Sequence, residues 1–155
     1  MVRFVDPAVA SRPVGHVLVA TDADWVFDEV DAALAGPDLE VRRVRTGRDV
    51  IPAIYADRPD LVVLDLQIGN MGGMATCLNI RLEEGAGRLP HVPILMLLDR
   101  EADVFLARRS AADGWLIKPI DAFTMRRAAT ALLEGGTYTE GVPADAGEAA
   151  EPLLS

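Results

Sequence analysis

An α/β fold, a parallel sheet covered by helices on both faces, is what the sequence predicts. Two observations carry that reading. Apolar runs such as Leu61-Val62-Val63-Leu64 and Val92-Pro93-Ile94-Leu95-Met96-Leu97-Leu98 lack polar alternation, as strands buried on both faces require. Between such runs lie stretches whose apolar residues recur at helical spacing, so strand and helix alternate five times. At 155 residues the chain is one domain with room for a real core. Half its residues are hydrophobic but only 5% are aromatic, so that core is Val, Leu, Ile and Ala.

Taken in order, residues 1–14 hold two prolines and no period, and read as a flexible leader. His16 to Thr21 is the first strand. Trp25, Val26, Phe27, Val30 and Leu34 form the stripe of a first helix, stopped by Gly36-Pro37. Leu39 to Val44 alternates as an edge strand does. Thr46 caps a second helix carrying Val50, Ile51, Ile54 and Tyr55. Pro52 lies inside it, so the helix either kinks there or starts later than Thr46 suggests. The third strand is Leu61 to Asp65. Gly69 to Gly73, with three glycines in five residues, is a loop. A third helix carries Met74, Cys77, Leu78 and Leu82. After the Val92–Leu98 strand, a fourth helix covers about 101–112 with Val104, Phe105 and Ala111 or Ala112 inward. Trp115-Leu116-Ile117 is the last strand. A fifth helix, capped by Asp121, carries Phe123, Met125, Ala128, Leu132 and Leu133 and ends at Gly135-Gly136. The ordered domain therefore spans 15–136. Residues 137–155, with four acids and few apolar side chains, read as a disordered acidic tail.

Composition narrows the function classes. A net charge of −9 and a sequence pI near 4.6 argue against a nucleic-acid backbone as partner. The single cysteine, Cys77, excludes an intrachain disulfide and fits a reducing compartment. No run approaches the ~18–20 apolar residues of a membrane span, and the start lacks a signal-peptide apolar region. The expectation is a cytoplasmic protein.

Chemistry gathers at strand ends. Thr21 and Asp22 follow the first strand, Asp65 closes the third, and Lys118 follows the fifth. In open α/β sheets the carboxyl edge of the strands is where ligands bind. Two carboxylates meeting there repel, and a hard divalent cation such as magnesium relieves that with oxygen ligands alone. A lysine opposite them supplies a point charge for a phosphoryl oxygen. Together these residues suit phosphoryl transfer onto Asp65. His16 and His91 fall at the other edge and are assigned no chemistry.

Five pieces, in order, resemble the receiver domain of bacterial two-component response regulators over about residues 15–134. They are Val17-Leu18-Val19-Ala20-Thr21-Asp22, Pro59 to Asp65, Asn70-Met71-Gly72-Gly73, Val92 to Leu97, and Ala112-Asp113-Gly114-Trp115-Leu116-Ile117-Lys118-Pro119. The resemblance implies a flavodoxin-like, doubly wound five-stranded parallel sheet, order 2-1-3-4-5, with five helices. It implies that Asp65 accepts a phosphoryl group from a histidine kinase, with Mg2+ held by Asp22, Asp65 and the backbone carbonyl of Gln67. It further implies that Lys118 pairs with the acceptor and that the Lys118-Pro119 bond is cis.

Three departures shape the expectation. Thr21 stands where receivers usually have a second acid, so magnesium binding is weakened. Asp24 is a candidate substitute, but its place two residues on reads as the helix start. Leu98 stands where a hydroxyl usually takes the phosphoryl signal, and Trp115, at the aromatic switch position, is too bulky to rotate inward easily. Ile68-Gly69 replaces Met-Pro, which predicts a more mobile loop. Arg108-Arg109 and Arg126-Arg127 fall on the fourth and fifth helices, which the family uses for partner and dimer contacts.

The sequence thus predicts an atypical, stand-alone response regulator that signals through protein contacts with weakened or absent phosphorylation switching. It is expected to be no enzyme beyond self-phosphorylation of Asp65. Its expected partners are a histidine kinase or other signalling protein, and a second copy through the fourth and fifth helices. Two alternatives stand beside it: a phosphorelay carrier accepting phosphate on Asp65 with magnesium, and a flavodoxin-like small-molecule binder using the Gly69–Gly73 loop.

Overall fold

The computed structural model describes residues 15–140. The leader and most of the tail lie outside the described residues. Five strands, β1 (Gly15–Ala20), β2 (Leu39–Val44), β3 (Leu61–Asp65), β4 (Ile94–Leu98) and β5 (Gly114–Ile117), form one sheet in the order β2-β1-β3-β4-β5, every pair parallel. The helices between and after them are α1 (Asp24–Leu34), α2 (Val50–Ala56), α3 (Gly73–Gly85), α4 (Val104–Arg109) and α5 (Ala122–Leu133). This is the expected flavodoxin-like sheet. Among the described residues no helix is long and apolar enough to cross a membrane.

Strand alternation divides the core between two faces. Val17, Val19, Leu61, Val63, Leu95, Leu97 and Leu116 meet α1 and α5. Leu18, Val62, Leu64, Ile94, Met96, Leu98 and Trp115 meet α2, α3 and α4. β3 lies mid-sheet and every one of its residues is buried, which is why its sequence shows no polar alternation.

The helices differ from expectation in identifiable ways. Thr46 caps a 3-10 turn, Gly47–Asp49, by accepting from the Asp49 N–H at 3.2 Å, and α2 begins only at Val50. Pro52 then sits in the first turn, where its missing N–H costs nothing. The fourth helix is shorter than 101–112. Its first turn is 3-10, and buried Asp103 accepts from the Arg100 N–H at 3.1 Å. On α3 the buried residues are Gly73, Thr76, Cys77 and Ile80, so the inward stripe lies one step from the predicted one and Leu78 and Leu82 face out. Phe105 and Phe123, predicted inward, are both 60% exposed, and Trp25 is 51% exposed. Short helices present few apolar repeats, and small Ala107, Ala128 and Ala129 let α4 and α5 lie close on the sheet with their aromatics outside.

A boundary also moves. Thr137–Glu140, assigned to the acidic tail, lie against the outer edge of β5, with a parallel bridge between Gly114 and Tyr138.

Candidate functional site

Asp65 ends β3 beside β1, where the strand order turns, and only 2% of it is exposed. A carboxylate so buried needs partners. It has three donors. The Thr21 hydroxyl donates to Oδ2 at 2.7 Å, and the Gln67 backbone N–H and Lys118 Nζ donate to Oδ1 at 3.1 and 2.7 Å. Thr21 is itself fully buried, and its Oγ1 also accepts from the Ala23 N–H at 3.1 Å, opening α1. The threonine that replaces an acid is therefore bonded to the candidate acceptor rather than idle.

Lys118 reaches the site because β5 stops at Ile117 and the Lys118 N–H bonds the Leu98 carbonyl at 2.8 Å. The Lys118-Pro119 peptide is cis, as the resemblance implies. Its ammonium also bonds Asp99 Oδ1 at 3.0 Å and stands 5.8 Å from the Trp25 ring centre. Burial pulls the Lys118 pKa down; hydrogen bonds to Asp65 and Asp99 outweigh it and hold the group above its ordinary value. Asp99 was not among the expected site residues. The signal was present: β4 runs Ile94–Leu98 straight into an acid, as β3 runs into Asp65.

Asp22 is exposed, and its Oδ2 accepts from the Gly69 N–H at 3.1 Å. A Cβ on residue 69 would stand 3.2 Å from that oxygen, so glycine here permits close approach. The loop is tied at several points: Gly47 N–H to the Gly69 carbonyl at 3.1 Å, Arg48 N–H to the Asn70 carbonyl at 3.0 Å, and Thr76 hydroxyl to the Met71 carbonyl at 3.2 Å. These bonds tie the loop for which greater mobility was expected. Asp24 does start α1, as expected, and bonds Arg43 and Arg45 on the β2 side at 2.8 and 3.1 Å. Those arginines hold its carboxyl below the usual range.

Among the described residues no set of three or more His, Cys, Asp or Glu side chains is grouped to hold a metal. Asp22, Asp65 and the Gln67 carbonyl nonetheless offer oxygen donors alone, the chemistry that suits magnesium. Both Asp65 oxygens already carry donors, so a cation there competes with Thr21 or Lys118.

Leu98 is fully buried in the core against α2–α4. Trp115 is only 6% exposed and packs in that same core as a buried aromatic. Its indole N–H donates to the Glu140 carbonyl at 3.0 Å, so the segment after α5 encloses it. Arg108, Arg109, Arg126 and Arg127 are exposed, Arg109 over Phe105 and Arg127 over Phe123 at 5.3 and 5.6 Å from the ring centres. Cys77 is buried, burial pushes its thiol pKa up, and its Sγ donates to the Ser110 carbonyl at 3.2 Å, the profile of an inert thiol.

Known proteins resemble the chain along this same stretch. A family model for the response regulator receiver domain matches residues 17–130. The transcriptional regulatory protein CseB of Streptomyces coelicolor is 31% identical over 137 residues, covering 83% of this chain and 56% of the relative. The DNA-binding response regulator MtrA of Mycobacterium leprae is 31% identical over 106 residues, covering 67% and 44%. The chain thus spans about half the length of these curated relatives. Among solved structures, the signal receiver domain of a histidine kinase from Syntrophus aciditrophicus superposes with a TM-score of 0.68 at 25% identity, covering 83% of this chain and 97% of that one. The chemotaxis response regulator CheY4 of Vibrio cholerae, at 23% identity and TM-score 0.67, covers 75% and 96% and shows the shared fold. Matched along its sheet, its carboxyl edge and its sequence, the chain belongs to the response regulator receiver family and so to the proteins of signal transduction.

Proposed function

We propose that Asp65 is the phosphoacceptor of an atypical receiver, one that signals through protein contacts and whose phosphorylation switching is weakened. The observation that carries the reading is the buried Asp65 carboxylate held by Lys118 Nζ at 2.7 Å, with Leu98 where a hydroxyl would be expected. In the transfer, an Asp65 oxygen attacks the phosphorus of a phosphohistidine on a histidine kinase. The new P–O bond forms as the P–N bond breaks, and its electron pair returns to the imidazole nitrogen. Lys118 meets the incoming phosphoryl oxygens, and Thr21 and the Gln67 N–H orient the carboxylate. Asp22, Asp65 and the Gln67 carbonyl would hold magnesium, which neutralises phosphoryl charge when bound.

The contact surface in this reading is the exposed Arg108, Arg109, Arg126 and Arg127 with Phe105 and Phe123, which suits a signalling partner or a second copy. The test is incubation with a small phosphodonor and magnesium beside a typical receiver. The expected result is slow, partial gain of one phosphoryl mass, acid-stable and base-labile, and absent in Asp65→Asn. Labelling as fast and complete as the typical receiver favours the phosphorelay carrier instead. No labelling at all removes Asp65 as acceptor.

A further inference from the structure

β5 is one of the two outer strands of the sheet, and an open strand edge invites another strand to pair with it. Here the chain's own segment takes that edge. The Trp115 N–H donates to the Tyr138 carbonyl at 2.8 Å, the Trp115 indole N–H to the Glu140 carbonyl at 3.0 Å, and the Ile117 N–H to Glu140 Oε1 at 2.7 Å. Gly114 leaves room for the approach, since a Cβ there would stand 2.5 Å from the Tyr138 carbonyl oxygen. The N–H groups of residues 115 and 117, which point outward in the strand, are therefore both bonded. The second is met by a carboxylate side chain rather than by a backbone carbonyl.

The segment is held by these three bonds and by Tyr138, which packs against the core under α1 and α5. Thr137 and Thr139 are exposed, Tyr138 and Glu140 are half-buried, and its root is Gly135-Gly136, with Gly135 at φ +89°. Its backbone makes one regular strand bridge, Gly114 to Tyr138. Such a segment blocks an edge without fusing to the sheet.

We propose that the outer edge of β5 is a docking edge for an extended strand bearing a carboxylate two residues past its pairing position, and that Thr137–Glu140 hold it closed in cis. The docked partner uses the same acceptors as the resident segment: a main-chain carbonyl for Trp115 N–H, a second for the indole, and an acid for Ile117 N–H. This is recognition by strand addition, in which main-chain bonds give affinity and one side chain gives selectivity. The inference needs no phosphoryl group on Asp65, so Asp65→Asn leaves it intact and its failure is distinct from failure of the phosphoacceptor reading.

The experiment uses the full chain and a labelled peptide, Gly-Thr-Tyr-Thr-Glu-Gly, the sequence of residues 136–141. Amide exchange is followed at Trp115 and Ile117, with Val63 in the sheet centre as control. Glu140→Ala is expected to speed exchange at 115 and 117 by about tenfold or more and leave Val63 unchanged. Glu140→Gln keeps the Oε1 acceptor and is expected to exchange close to the parent. The peptide is expected to bind Glu140→Ala at least about tenfold more tightly than the parent, and its Glu→Ala version to bind neither. Exchange that Glu140→Ala does not alter overturns the cis closure. Equal peptide binding to both chains, or none to Glu140→Ala, overturns the docking edge.

Discussion

Thr21 decides what kind of carboxylate Asp65 is. Its hydroxyl satisfies Oδ2 at 2.7 Å in a site with almost no solvent, so Thr21→Val strands a buried acceptor and the Ala23 N–H together. The expected cost is about 1–3 kcal/mol in denaturant unfolding. Thr21→Asp reverses the balance: it removes the donor and adds a charge, so magnesium affinity is expected to rise, read as a change in the fluorescence of Trp25 beside Lys118. No rise would place Asp22 outside any metal site. Lys118 carries a pH signature. Its folded pKa lies above the unfolded value, so its ion pairs with Asp65 and Asp99 stabilise the fold fully below pH about 10.5 and lose that contribution as pH rises through the folded value. Asp99→Asn removes one of the two carboxylates that raise it. The alkaline loss of stability is then expected to begin at the same pH, to end at lower pH and to be smaller in extent. An unchanged alkaline profile would show that Asp99 does not share the lysine.

At the scale of elements, the site is fixed by how close α3 comes to β3. Gly73 opens α3, and a Cβ on it would lie 2.7 Å from the Asp65 carbonyl oxygen and 2.8 Å from Leu66 Cα. Both are backbone atoms and neither can step aside. Gly73→Ala is therefore expected to cost about 1–3 kcal/mol and to disturb Asp65 itself. Calorimetry would give the cost, and slower labelling of Asp65 by a phosphodonor would give the disturbance. Unaltered melting would mean α3 has room to shift. These elements were legible to different degrees, for physical reasons. β3 and β4 declared themselves because strands buried on both faces can hold only apolar residues, and Asp65 stood out as the exception at an end. Lys118 was legible for the same reason at β5. Asp99 was overlooked because an acid one residue past a strand reads as an ordinary loop residue until Lys118 is seen to reach it. The inward face of α5 was placed correctly at Met125, Ala128 and Leu132, whereas Leu78 and Leu82 on α3, Phe105 on α4 and Phe123 on α5 face out, because helical period alone cannot tell which of two adjacent apolar stripes meets the sheet. Nothing local to Thr137–Glu140 announces that their partner is an edge strand more than twenty positions earlier.

At the scale of the whole molecule, the sheet separates the chemistry from α4, one of the two helices of the surface that would carry its signal. By strand alternation Asp65 belongs to the side of Val63, facing α1 and α5, whereas Leu98 and Trp115 lie in the core against α2, α3 and α4. One route by which a charge gained at Asp65 can reach α4 is the end of β4, and the side chain there is a leucine with no exposure and no hydrogen-bonding atom. A change at one site moves another only through an element with two arrangements that both sites bias. Leu98 has no side-chain donor with which to bond a phosphoryl oxygen on Asp65. With a phosphodonor present, amide exchange along Val104–Arg109 is accordingly expected to stay unchanged in the parent chain. Leu98→Thr supplies a hydroxyl at that point. It is expected to lower stability by about 1–3 kcal/mol, since the hydroxyl enters an apolar site, and to make exchange in α4 respond to the phosphodonor. Asp65→Asn in the same background is expected to abolish that response. A response in the parent equal to that of Leu98→Thr would show that the signal travels by another route, one that leaves Leu98 aside.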